Sequence, residues 1–168
     1  MHPGSLPVRP APAPAPAAAL AVRPLWTISG ATAWLRRHPD DILRMIEDGR
    51  LEWAWDIAAG PCRRRREIRI WFESLEWARR NLSRPAQDLL LPPTYTPAQV
   101  FERIVGHHRP WLRGSEVQAL LNCDRNLVFR HLRAGALRLA SSQASLTSRT
   151  PLILRTSLEQ FLLARRIQ

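Results

Sequence analysis

The stretch LLNCDRNLVFRHLRAGAL, Leu120 to Leu137, closes one apolar helix, turns a polar corner, opens an arginine-studded helix and ends on a glycine. Asp124 is placed to cap the second helix, Val128 and Leu132 form its apolar seam, and Gly135 stops it in the manner of a left-handed C-terminal residue. A second stretch, WLRRHPDDILRMIEDGRL, Trp34 to Leu51, lies 86 positions earlier and repeats this order without a gap. Pro39 suits the first helical turn, Asp40 and Asp41 complement its dipole, Ile42 and Ile46 form the seam, and Gly49 ends it. Self-similarity at this spacing points to two small units rather than one domain.

The segments beyond the two glycines are duplicated as well. LEWAWDI alternates Leu51, Trp53, Trp55 and Ile57 on one face, and EIRIWF returns as a second strand after the tip AAGPCRRRR. A helix is expected from about Ser74. In the second unit a strand near Leu137 to Ala140, a polar tip SSQASLTSR and a strand near Leu152 to Arg155 are expected. Thr156 or Ser157 is then placed to cap a last helix over Leu158 to Arg166, with Leu158, Phe161 and Leu162 inward. At the front of each unit, Ser29 can cap a helix over Gly30 to Arg37, and Ser115 with Gln118 makes a capping box for a helix through Asn122.

The expected organisation is therefore a Pro/Ala-rich extended tail at 1–24, a first unit at 25–83, a connection at 84–110 and a second unit at 111–168. Within the connection, Thr96, Pro97 and Gln99 start a short helix with Val100, Phe101, Ile104 and Val105 on its apolar side, and the run His107 to Pro110 ends it. The fold class is mainly α with small β-hairpin wings.

Two short helices joined by a tight corner, then a glycine and a hairpin, outline a winged helix-turn-helix. Residues 120–137, with the Ser157–Glu159 helix start after the hairpin, resemble the MerR-like winged helix-turn-helix of excisionases and AlpA-type phage regulators. The likeness is good over 111–168 and looser over 25–83. It implies two tandem copies, the first degenerate, with the corner and the outward face of the second helix approaching base edges. Those positions are Arg125, Asn126, Arg130 and Arg133, of which 126, 130 and 133 share one helical stripe. Arginine can bond guanine with two donors and asparagine can read adenine, each such pair discriminating by about 1 to 3 kcal/mol. His131 stands where the family usually has an apolar residue, and we read it as a partly buried, hydrogen-bonded histidine.

The first copy offers Asp40, Asp41, Glu47 and Asp48 on its second helix, where phosphate repulsion disfavours DNA. Its tip carries Arg63, Arg64, Arg65 and Arg66 instead, where a wing reaches the minor groove or backbone, whereas the second tip carries only Arg149. Residues 25–83 hold eleven arginines and nine acids, against nine and three for 111–168. One unit is thus strong in the wing and the other in the helix. Both engaged would place two readers about one helical turn apart.

Charge agrees with a polyanionic partner: net +11 with a pI near 11.6, since a basic surface releases counterions condensed on phosphates. All 25 basic residues are arginine, a pattern of GC-rich coding that discounts the arginine count as evidence. Cys62 and Cys123 form no ligand set, and His107 and His108 have no partner at metal-binding spacing, so neither a metal nor a cofactor is expected. No glycine-rich phosphate loop, GxSxG, HExxH or paired-carboxylate constellation occurs, which argues against an enzyme. The apolar segment Ala11 to Val22 is too short and proline-broken to cross a bilayer or lead export, so a cytoplasmic, nucleoid-associated protein with no membrane partner is expected.

The expected function is non-enzymatic binding of double-stranded DNA, as an excisionase-like recombination directionality factor or as a mobile-element transcriptional regulator. The expected partners are duplex DNA and an integrase or a second copy of the chain. The alternative is an assembly module whose first unit docks a protein, such as an integrase or a packaging ATPase, while only the second touches DNA.

Overall fold

Each unit begins with a strand too short to leave a pattern in the sequence. In the computed structural model, which describes residues 23–60, 66–82, 94–106, 109–140 and 151–167, β1 (Leu25–Thr27) runs directly into α1 (Ile28–Leu35), and β4 (Trp111–Arg113) into α5 (Gly114–Leu121). The caps shift accordingly. Thr27, not Ser29, accepts from the Gly30 amide at 3.1 Å, and the Glu116 carboxylate accepts from the Arg113 amide at 2.6 Å in place of a Ser115 box. In both cases the chain leaves an extended strand residue, so the helix starts as soon as pairing stops.

The second helices, α2 (Pro39–Glu47) and α6 (Arg125–Arg133), form as the capping residues require. Asp124 Oδ1 accepts from the Leu127 amide at 2.7 Å. Gly49 and Gly135 sit beyond the two helix ends at φ +73° and +71°, the left-handed region glycine enters without a Cβ penalty. The corners match as well: Arg36 and Asn122, again 86 positions apart, hold φ of 50° and 48°. Then come β2 (Ala54–Asp56), β3 (Ile68–Trp71) and α3 (Phe72–Asn81) in the first unit, and β5 (Leu152–Leu154) and α7 (Arg155–Arg165) in the second. The expected strand at 137–140 is reduced to one bridge, Leu139 to Ile153, flanked by Ala140 N–H to Leu152 O and Leu154 N–H to Arg138 O at 2.8 and 2.9 Å. Ser157 does not cap α7. It lies inside the helix, where its hydroxyl donates to Leu154 O and accepts from the Arg138 amide.

Seven helices hold 55% of the described residues, with small antiparallel sheets between them. One sheet has the order β1-β3-β2, with Leu25 opposite Trp71 and Ala54 opposite Ile70; the other pairs β4 with β5. Alternation along the strands sends successive side chains to opposite faces. Ala54, Ile68 and Ile70 face α1, α2 and α3 in a core with Ile42, Met45, Ile46 and Leu75. Leu25, Trp53, Trp55, Ile57 and Trp71 face the other way, into a core that also holds Leu112, Val117, Leu127, Val128, Leu158 and Phe161 of the second unit. LEWAWDI thus has both faces covered, not one.

This sharing changes the division of the chain. The segment 84–110 is not only a connection, because α4 (Pro97–Val105) inserts Val100, Phe101, Ile104 and Val105 into the shared core. Thr96 and Gln99 form its expected capping box, at 3.3 and 2.9 Å, while Gly106 at φ +69° ends it before the histidines. The tail also ends earlier than 24. Pro24 O accepts from Phe72 N at 2.9 Å, and Arg23 donates to Asn122 Oδ1. The rest of the expected tail, the expected tips at 61–65 and 141–150, residues 83–93 of the expected connection, His107, His108 and Gln168 lie outside the described residues.

Candidate nucleic-acid interface

The surface of α6 is built from its caps upward. Asp124 fixes the N-terminus, and Leu127, Val128, His131 and Leu132 are buried on one side. Spacing of 3.6 residues per turn then turns Arg125, Asn126, Arg130 and Arg133 outward: Arg125, Asn126 and Arg133 are exposed, as is Arg130. The Arg125 guanidinium lies over the Phe129 ring, 5.0 Å from its centroid, a contact that spares its charge. Among the described residues no carboxylate forms an ion pair with Arg125, Arg130 or Arg133. The helix therefore presents three uncompensated guanidinium groups and an amide on a ridge nine residues long.

The equivalent helix of the first unit has the opposite character. Asp40, Glu47 and Asp48 are exposed, Asp41 pairs with Arg44 at 3.8 Å, and Asp48 holds Arg50 at 2.9 Å. Of the arginines at the first tip, Arg66 is described and exposed; Arg63, Arg64 and Arg65 lie outside the described residues, as does Arg149 of the second tip.

His131 is 1% exposed. Its Nε2–H donates to Ile57 O at 2.9 Å, and its ring meets Phe161 edge-on with centroids 4.6 Å apart. Burial pushes its pKa below 6.5; the bond to Ile57 opposes this, and Arg165 and Arg130 add to the lowering. The ring is thus a neutral structural bridge between α6 and the hairpin of the other unit.

Arg69 carries no local signature of its role. In the run Ile-Arg-Ile an arginine reads as the wet face of a strand, yet here it is 7% exposed because the second unit covers that face. Its Nε and Nη2 donate to Leu121 O and Asn122 O at 2.7 and 3.0 Å, satisfying carbonyls left open where α5 ends. Nη1 donates to Ile68 O at 3.0 Å, and Glu67 lies 3.6 Å away. Burial lowers its pKa while Glu67 opposes the shift. No sequence pattern marks such a residue, since the two α5 carbonyls it holds lie more than fifty positions away.

The hairpin is held from a third side. Arg165 Nη1 donates to Ala58 O at 2.6 Å and to Asp56 O at 3.3 Å, and Arg166 stacks over Trp53 at 3.7 Å while pairing with Glu52. Elsewhere, burial raises the Cys123 thiol to about 11, so it is protonated at neutral pH. Among the described residues no three His, Cys, Asp or Glu side chains converge, and no helix is long and apolar enough to cross a membrane.

No protein-family model matches this chain, and neither a curated protein nor a solved structure matches it.

Proposed function

We propose that the chain is a non-enzymatic double-stranded DNA-binding protein built from two winged helix-turn-helix units, serving as an excisionase-like recombination directionality factor or as a mobile-element transcriptional regulator. The observation that carries this reading is the exposed ridge of Arg125, Asn126, Arg130 and Arg133, unpaired with carboxylates and backed by a buried helix face. A helix of this kind fits a major groove, where Arg130 and Arg133 are suited to guanine or phosphate and Asn126 to adenine. The duplex would need no cofactor, and an integrase or a second copy of the chain is the expected protein partner.

The test is titration of fluorescent duplexes, including DNA flanking the protein's own gene, at several salt concentrations. Binding that weakens with salt and with Arg125→Ala or Arg130→Ala supports the reading; indifference to duplexes in dilute buffer ends it. An integrase-dependent excision assay then separates the two roles. Loss of excision on deletion favours the recombination factor, and altered promoter output with unchanged excision favours the regulator.

One observation favours a second reading for the first unit, as a protein-docking module for an integrase or a packaging ATPase. Its α2 exposes Asp40, Glu47 and Asp48, a face that suits a basic protein better than a polyanion. Deleting the first unit is not a clean test, because Trp53, Trp55 and Trp71 belong to the shared core. Charge-neutralising substitutions on α2 in the full chain, read against integrase binding, are.

A further inference from the structure

We infer that the chain presents one DNA-reading head, not two: the first unit braces α6 from behind, and its own α2 takes no part in the groove. The inference rests on the DNA-binding reading proposed above and specifies how much duplex that site engages.

Three observations converge on it. First, the β1-β3-β2 sheet stands between the two second helices. The buried side of α2, Ile42, Met45 and Ile46, lies in one core with Ala54, Ile68 and Ile70, while the buried side of α6 lies in the core on the reverse face, with Trp53, Trp55, Ile57 and Trp71, where His131 reaches Ile57 O. The two helices are thus backed by opposite faces of one sheet, not set side by side like paired readers. Second, the first unit's bonds end on the parts of the second that set α6 in place. Arg69 holds the carbonyls of Leu121 and Asn122 at the corner, and Ile57 O takes the His131 Nε2–H in the last turn of the helix. Third, charge divides along the same line, with uncompensated arginines on α6 and exposed acids on α2.

A single head needs one groove segment, about one turn or 10 base pairs plus flanks, whereas paired readers need about two turns. The experiment uses the full chain and compares duplexes of one and two turns carrying the same bound segment, together with the double variant Asp40→Asn/Glu47→Gln. Expected are one chain per short duplex, affinities for the two lengths within threefold, and less than a twofold change in the double variant. Both substituted residues are exposed, and a matching circular dichroism melt verifies that the variant folds. A tenfold or greater gain on the longer duplex at one chain per duplex, or a fivefold gain on neutralising α2, would overturn the inference while leaving DNA binding intact. Failure to bind either length removes the DNA-binding reading itself and this inference with it.

Discussion

The imidazole of His131, in the last turn of α6, donates to the carbonyl of Ile57 at 2.9 Å, tying the exposed arginine ridge to the hairpin of the other unit. The bond needs only a proton on Nε2; it is burial, with Arg165 and Arg130 nearby, that makes the site hostile to a charged ring.

Acid is therefore expected to loosen this junction. The folded-state pKa of His131 lies below the unfolded value near 6.5, so below about pH 6.5 the unfolded chain takes up a proton that the folded chain refuses. Its stabilising effect is complete above that pH and declines as pH falls toward the folded pKa. Thermal melts between pH 7.5 and 5 read this directly. His131→Gln, which keeps a donor but does not titrate, flattens the profile in that window if the histidine is its source.

Arg69 is expected to act on α6 at a distance. Arg69→Met removes both bonds to the α5 terminus and lowers stability by about 2 kcal/mol, the range for hydrogen bonds from a charged donor. Arg69→Lys, with one compact donor group, recovers part of it. On the DNA-binding reading, duplex affinity falls with Arg69→Met although the residue is buried. Denaturant titration alongside duplex titration separates the two effects.

The corner residues make opposite predictions for glycine. Arg36 holds φ 50° with a bulky side chain, so Arg36→Gly is expected to relieve about 1 kcal/mol of left-handed strain and raise the melting temperature. Gly135→Ala at φ +71° is expected to cost a similar amount. Gly114→Ala is costly for a different reason, since a Cβ there would stand 2.9 Å from Pro151 Cγ.

For the ridge itself, Arg130→Ala and Asn126→Ala are expected to weaken a specific duplex by about 1 to 3 kcal/mol each and to relax preference at one base position. Arg66→Ala is expected to weaken all duplexes alike and reduce the salt slope by about 0.9. Binding curves at three salt concentrations distinguish the two behaviours.

The parts of this fold legible in the sequence are those decided within one helical turn. Asp124 caps α6, Thr96 and Gln99 box α4, and Gly49 and Gly135 stop their helices, because each acts on neighbours three or four residues away. The outward stripe of 126, 130 and 133 comes from the same periodicity. The illegible parts are decided across the chain. β1 and β4 have three residues each and exist only because β3 and β5 pair with them. The Ile-Arg-Ile of β3 reads as half wet until the second unit covers it, and the burial of Trp53 and Trp55 against that unit has no local sign. Capping choices between adjacent candidates, Thr27 against Ser29 and Glu116 against Gln118, are settled by where strand pairing stops.

The contacts of Arg165, Arg166 and Ile167 with the β2 segment have a kinetic side. They span more than a hundred residues of chain: Arg165 reaches Ala58 across 107 positions, and Ile167 N–H donates to Ala54 O at 2.9 Å. Closing so large a loop precedes any reward from it, so this union is expected late on the folding route, after the helical pairs have formed locally. Until then the tryptophan-lined back of the sheet stays wet, and the hazard of self-association during refolding is greatest in that interval.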